Sequence, residues 1–389
     1  MAKFSEVFFC PVPWTEMYYH INECSPCHLI KNNLNLTPSE YLKSDWLKNL
    51  KTDFVNGVVP PLCGAYCKSK EDLGLKSTRG AAWNYNNIGE SKELDISQFT
   101  IEKETIVKRL EIRTSNLCNQ KCRMCDERSS SEIAKEKQKF SIPLKYENEF
   151  SVLKVNEYDL KNLKDIPLDN TETVCFTGGE PLIIKEYVEY MDYLIEQGLT
   201  KQIGIELFTN CSVYNPKFME KLLQFDKVSF VMSIDGVGKT AEYQRKGTDW
   251  NITKENILKF ITMRRKIHFN TAITPYVLLD ISSFSKFLME LYELNNNIAT
   301  KCYSVVSPEE LSFENMNFDL RERAIKEIEA SLKILNVPNF DILKQELLNI
   351  KTILKNTEPK NTEDFVSFTK KLDEMRNERF EDVFGYKLY

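Results

Sequence analysis

Glycine and proline are sparse, at 13 and 14 of 389 residues, which excludes a collagenous or low-complexity chain. No run of 18 or more apolar residues occurs, so no segment has the length and hydropathy of a membrane-spanning helix. A positive charge excess is also missing. Lys and Arg total 52 against 57 Asp and Glu, a net charge of −5, and nothing in that balance recruits a polyanion, so nucleic acid is not an expected partner. The opening MAKFSEVFFCPVPW lacks the apolar core and small-residue cleavage site of a secretory signal, and the expected location is the cytoplasm. Internal repeats are absent. What remains is ordinary for a globular protein: 42% hydrophobic and 28% charged residues, in a length that suits two or three domains.

Cysteine is abundant, with eleven in all. In a reducing compartment such clusters serve metal binding or redox chemistry more often than disulfides. Cys10, Cys24, Cys27, Cys63 and Cys67 lie before residue 70, and Cys118, Cys122 and Cys125 fall within eight residues. Cys175, Cys211 and Cys302 sit in apolar or strand-like sequence and read as small core residues.

The expected domains are a Cys-rich module over 1–75, a connector over 76–106, a core over 107–310 and a helical extension over 311–389. The first shows little periodicity, as expected of a module held by metal. From residue 107, β-rich runs alternate with amphipathic stretches such as Phe218, Met219, Leu222 and Leu223, which predicts parallel βα units. Six strands are expected: Arg109–Thr114, Thr173–Thr177, Ile203–Thr209, Val228–Ile234, Thr271–Leu278 and Tyr303–Val306. Six such units form an open barrel or a doubly wound sheet, with the ligand site at the C-terminal strand ends. Helices follow from about Ser307, with a break at Pro338 and a last helix near Glu363–Phe380.

Those strand ends carry the chemistry. Cys118-Asn-Gln-Lys-Cys122-Arg-Met-Cys125 follows the first strand, and three thiolates in a tight loop can hold three corners of an iron-sulfur cube while one iron stays open. By spacing alone, zinc with a remote fourth ligand or plain free thiols stay open; His20, His28 and His268 are all distant. The second strand ends in Gly178-Gly179-Glu180-Pro181, where glycines permit close approach of backbone to a ligand and Glu180 offers an acceptor for an ammonium group, although a plain βα turn explains the motif as well. Thr209-Asn210 and Ser233-Ile-Asp235 end the next two strands; they suit ribose and adenine, or cap the following helices. Taken together, four successive strand ends converge on one pocket.

In CxxxCxxC followed by GGEP, residues 107–310 resemble the core of the radical S-adenosylmethionine (SAM) enzymes. The resemblance implies an α/β fold, a partial (β/α)6 barrel. It also implies that Cys118, Cys122 and Cys125 hold a 4Fe-4S cluster whose open iron is chelated by SAM. Gly178, Gly179 and Glu180 would face the methionine amine, and Thr209, Asn210, Ser233 and Asp235 the ribose and adenine. Arg245, within Glu242-Tyr-Gln-Arg-Lys-Gly247, would grip the methionine carboxylate, or else be a solvated helix residue. Met124 stands where many members carry an aromatic residue.

The stretch from Phe9-Cys10-Pro-Val-Pro-Trp14 through Pro26-Cys27 and Trp46 to Cys63-Gly-Ala-Tyr-Cys67 is similar to the auxiliary-cluster module of twitch-domain proteins, related to SPASM domains. There the module follows the barrel, whereas here it precedes it. The favoured ligands of a second, auxiliary 4Fe-4S cluster are Cys10, Cys27, Cys63 and Cys67, with Cys24 as substitute; four thiolates also suit zinc. Leu372-Asp373-Glu-Met-Arg376-Asn377 resembles the tail of such proteins.

The resemblance implies reductive cleavage of SAM to a 5'-deoxyadenosyl radical and abstraction of a hydrogen atom from the substrate. The auxiliary cluster would accept an electron, and a flavodoxin or ferredoxin would serve as reductant. The substrate is expected to be a peptide or a small molecule. A zinc-bearing interaction module would explain the cysteines alone, and a non-catalytic electron carrier would explain two clusters; neither uses the strand-end pattern.

Overall fold

The computed structural model describes residues 2–3, 7–20, 23–30, 34–72, 77–85, 93–145 and 157–388. Its centre is one eight-stranded sheet. In chain order the strands are β1 (Glu16–His20), β2 (Glu23–Ser25), β3 (Arg109–Arg113), β4 (Thr173–Phe176), β5 (Gly204–Thr209), β6 (Val228–Met232), β7 (Lys266–Ile273) and β8 (Ile298–Ser304). Their order across the sheet is β8-β7-β6-β5-β4-β3-β1-β2, and every pair is parallel except the β1–β2 hairpin. This is the α/β fold of the sequence reading, with the six core strands placed side by side in chain order.

Alternation along the strands explains the layering. In β3, Leu110 and Ile112 are buried while Arg109, Glu111 and Arg113 are half-buried on the other face. The apolar face is covered by amphipathic helices, among them Glu186–Glu196, Pro216–Leu222, Trp250–Thr262 and Ile281–Leu294. The polar face is concave. Arg109 Nη2 lies 2.7 Å from Glu206 Oε2 across the intervening β4, and Lys301 Nζ of β8 comes to 3.6 Å from Glu206 Oε1, although β6 and β7 lie between them in the sheet. Only a strongly curled sheet brings β8 within reach of β5, so the sheet is a barrel left open.

Two strands depart from expectation. The fifth runs over Lys266–Ile273, not Thr271–Leu278, because Thr274 accepts from the Val277 N–H and starts the short helix Pro275–Leu278. Lys266, His268 and Asn270 point to the concave face, and their polarity hid the strand. The sixth occupies Ile298–Ser304, earlier than the expected Tyr303–Val306, for the same reason: Lys301 and Tyr303 alternate with Thr300.

At the N-terminal side, β1 lies beside β3, with Glu16 opposite Arg109 and His20 opposite Arg113. The Cys-rich segment therefore adds two strands to the main sheet. Around it a separate small core gathers Phe9, Trp14, Ile30, Leu50, Phe54 and Trp83. The expected connector contains the helix Thr78–Tyr85, and residues 86–92 lie outside the described residues. The C-terminal extension consists of helices Phe318–Ile334, Asp341–Asn356, Thr362–Arg376 and Phe380–Phe384. Among the described residues, no helix is long and apolar enough to cross a membrane.

Candidate active site

The loop after β3 carries Cys118, Cys122 and Cys125, and two contacts shape it. Lys121–Cys122 pairs antiparallel with Arg245–Lys246. The Gly-Gly-Glu turn after β4 is bonded to the same loop, since Gly179 N–H donates to Ser115 O (3.1 Å) and Glu180 N–H to Leu117 O (2.8 Å). The glycines follow from this. Gly178 has φ +125°, which other residues rarely adopt, and a Cβ on Gly179 would stand 2.0 Å from Leu117 O. The close approach that requires Gly179 is to the cysteine loop.

Glu180 is buried, and its carboxylate accepts from Thr209 Oγ1 (2.8 Å), Asn210 N (2.7 Å) and Leu182 N (3.2 Å). Burial pushes its carboxyl up to about 7 despite these bonds. Asn210 Nδ2 in turn donates to Asn119 Oδ1 (3.1 Å) inside the cysteine loop. Asp235, also buried, grips Arg245 with both oxygens (2.7 and 3.0 Å) and accepts from Ala272 N (2.8 Å). Arg245 Nη1 then donates to Cys122 Sγ at 3.6 Å. Ser233 is half-buried, and its N–H donates to Thr209 O at 2.8 Å. The sequence-derived residues are thus assembled around one rim, and Arg245 is a mostly covered ion-pair partner of Asp235 instead of a solvated helix residue. Burial opposes its charge, but Asp235 and the neighbouring thiols hold it charged.

The three sulfurs are electrostatically coupled to one another. Cys122 is drawn down to about 7 by the sulfur contact with Cys125, against burial and with help from Arg245, while Cys125 is raised by the same contact. Burial pushes Cys118 up to about 12, although the Gln120 N–H faces its sulfur. Among the described residues no three His, Cys, Asp or Glu side chains converge on a point that would hold a single ion. An iron-sulfur cube makes a different demand, since each thiolate takes its own iron. Three thiols in one loop, backed by a guanidinium and a backbone N–H, meet that demand chemically.

A second group lies in the N-terminal segment. Cys10, Cys27, Cys63 and Cys67 line one small cavity, together with Phe8 and Arg79. Backbone N–H groups face the sulfurs: Val12 toward Cys10, Leu29 and Ile30 toward Cys27, Thr78 and Arg79 toward Cys67. Burial pushes Cys27 and Cys63 up to about 12 and raises Cys10 and Cys67. Cys24 is elsewhere, buried in the main core with its Sγ 3.9 Å from Leu36 O. Among the described residues the cysteines form no disulfide. Cys175 and Cys211 are buried; Cys175 Sγ meets Glu206 Oε2 at 3.4 Å, and Cys302 is half-buried with Sγ 3.8 Å from Ile342 O.

Residues 112–284 match the Radical SAM superfamily model. The chain carries a radical SAM domain. That radical SAM segment runs from Ile112, near the end of β3, into the helix Ile281–Leu294 and includes the cysteine loop and the whole rim around it. No curated protein matches the chain. Among solved structures, native anSMEcpe with bound AdoMet is similar at 15% sequence identity and TM-score 0.40, covering 56% of this chain and 58% of its own. SuiB of Streptococcus suis bound to S-adenosylmethionine is similar at 14% identity and TM-score 0.39, covering 72% of this chain and 61% of its own. The chain thus spans less than two thirds of the length of either.

Sequence reasoning missed several residues at this site. Asn119 and Ser212 bridge the cysteine loop to the end of β5 (2.7 Å), and Gln244 Nε2 reaches Met124 Sδ at 3.7 Å while its Oε1 accepts from Thr274 (3.1 Å). Below the rim, Arg109, Glu206 and Lys301 give the concave face its charge. The alternation Arg-Leu-Glu-Ile-Arg in β3 was the available signal for that face.

Proposed function

We propose that this radical SAM protein is an enzyme that reductively cleaves SAM and abstracts a hydrogen atom from a polar substrate. The observation that carries the reading is the convergence of the Gly-Gly-Glu, Thr-Asn and Ser-x-Asp strand ends on the loop of Cys118, Cys122 and Cys125. When bound, a 4Fe-4S cluster supplies the electron for homolysis of SAM, and the adenosyl fragment is the hydrogen-atom acceptor. The chain's own residues do the rest. Cys118, Cys122 and Cys125 would hold the cluster. Glu180 ties the ends of β4 and β5 together and Asp235 fixes Arg245 against Cys122, so the pocket is set before any ligand arrives. Gly178, Gly179, Thr209, Asn210 and Ser233 supply its backbone and hydroxyl lining.

In the same reading Cys10, Cys27, Cys63 and Cys67 hold an auxiliary 4Fe-4S cluster in a twitch-like module, as four thiols around one cavity suit full ligation by protein. Full ligation favours electron acceptance over substrate binding. A flavodoxin- or ferredoxin-type protein would supply electrons, and cysteines held as thiols instead of disulfides suit the cytoplasm. The charged concave face, with Arg109, Glu111, Glu206 and Lys301 below the rim, favours a peptide or another polar small molecule as substrate.

Iron and sulfide content after anaerobic reconstitution tests the proposal. About eight irons per chain, falling to about four in the Cys118, Cys122 and Cys125 triple Ala variant, are expected. Cys122→Ala should abolish 5'-deoxyadenosine formation; unchanged formation, or zinc in place of iron, would overturn the assignment.

A further inference from the structure

Arg123 lies between two loop cysteines, and its side chain is completely buried. A buried guanidinium requires acceptors in fixed places, and Arg123 finds them some 250 residues away. Its Nη2 lies 2.6 Å from Asp373 Oδ1 and 2.8 Å from Glu378 Oε2. Its Nε donates to Tyr243 O (2.9 Å), and the guanidinium sits 3.5 Å above the Tyr243 ring. The Tyr243 hydroxyl donates to the same Asp373 Oδ1 (2.8 Å), and Asp373 Oδ2 accepts from Phe380 N (2.9 Å).

The other neighbour of Cys122 is tied to the same segment through Glu136. Lys121 Nζ is 3.0 Å from Glu136, and Arg376 clasps Glu136 with Nε (3.2 Å) and Nη2 (2.8 Å). Glu378 also pairs with Lys246 at 3.0 Å, next to Arg245. Asn377, left-handed at φ 52°, ends the helix Thr362–Arg376 and turns the chain so that Asp373 and Glu378 meet at Arg123. One C-terminal turn therefore grips Arg123 and Lys246 directly and reaches Lys121 through Glu136. It lies wholly outside the segment 112–284 that the Radical SAM model matches.

We infer that Asp373, Arg376 and Glu378 are positioning residues of the cofactor site, placing the Cys122 sulfur and the Arg245 guanidinium relative to each other. The inference rests on the reading of Cys118, Cys122 and Cys125 as cluster ligands. The turn acts as an outer layer of the site, contributed by a part of the chain remote from the ligands.

The test compares Asp373→Asn with Leu343→Ala, a core change in the helix Asp341–Asn356 that lowers stability without touching the turn. The readouts are SAM affinity by equilibrium binding and the electron paramagnetic resonance spectrum of the reduced, reconstituted protein with and without SAM. Asp373→Asn should weaken SAM about tenfold or more, the usual effect of losing an outer partner, and change the SAM-induced shift of the spectrum. The N-terminal cluster's signal should stay as in wild type, and Leu343→Ala should keep wild-type affinity and spectra. Wild-type behaviour of Asp373→Asn, or equal losses in both variants, would overturn the inference. Should Asp373→Asn not fold, Glu378→Gln takes its place with the same two criteria. A wild-type protein that assembles no cluster on the loop would fail at the iron assay first, and would overturn the underlying reading and this inference together.

Discussion

Gly179 shows how one residue can be fixed by a contact that no local rule reveals. A Cβ there would stand 2.0 Å from the backbone oxygen of Leu117, and backbone atoms cannot swing aside as a flexible side-chain end can. Gly179→Ala should cost roughly 1–3 kcal/mol, the range for overpacking, and should reduce iron retained by the cysteine loop more than iron in the N-terminal cavity. Urea denaturation together with iron analysis reads both effects; wild-type values in each would refute the account. The sequence pointed to Gly179 as a place of close approach to a ligand, whereas the neighbour that requires the glycine is a backbone atom about sixty residues earlier in the chain.

At the scale of elements, the four central strands β3 to β6 were legible because β3 alternates charged and apolar residues, β4 to β6 are richer in apolar ones, and turn motifs follow them. The strands β7 and β8 were displaced in the reading by polar side chains on the concave face, and β1 was hidden among cysteines whose spacing drew attention to metal. The hairpin β1–β2 also resolves which thiols share the cavity. Cys24 pairs within the hairpin, opposite Tyr19, and is buried in the main core, whereas Cys27 lies just beyond β2 at the cavity wall. Cys27→Ala should lose about four of the reconstituted irons, and Cys24→Ala should lose none. Equal iron loss in both would place Cys24 among the ligands. The C-terminal turn was legible only as a motif: nothing local in Asp373 or Glu378 tells that their partner is Arg123.

For the whole molecule, the charges across the barrel interior set a pH dependence. Burial works against the Glu206 carboxylate, but Arg109 and Lys301 overcome it and hold the group at about 2, down from 4.5. A carboxyl depressed in the folded state stabilises the fold above its unfolded value, and that contribution is lost as pH falls from about 4.5 toward 2. The amount is on the order of 2–3 kcal/mol, given the size of the shift and the slight exposure of the pair. Thermal melts between pH 5 and 2 should fall less steeply in Glu206→Gln than in wild type, even though the variant starts lower because Arg109 loses a partner. Parallel acid limbs would show that Glu206 does not carry this dependence.

The place of β1 has one more consequence. Because Glu16–His20 supplies the hydrogen-bonding partner along the outer side of Arg109–Arg113, a chain shortened to residues 107–310 would present that strand bare. Its N–H and C=O groups would then template another chain, and the shortened protein would self-associate along that border. The Cys-rich segment is thus also the edge guard of the barrel, and it cannot be trimmed away to study the barrel alone.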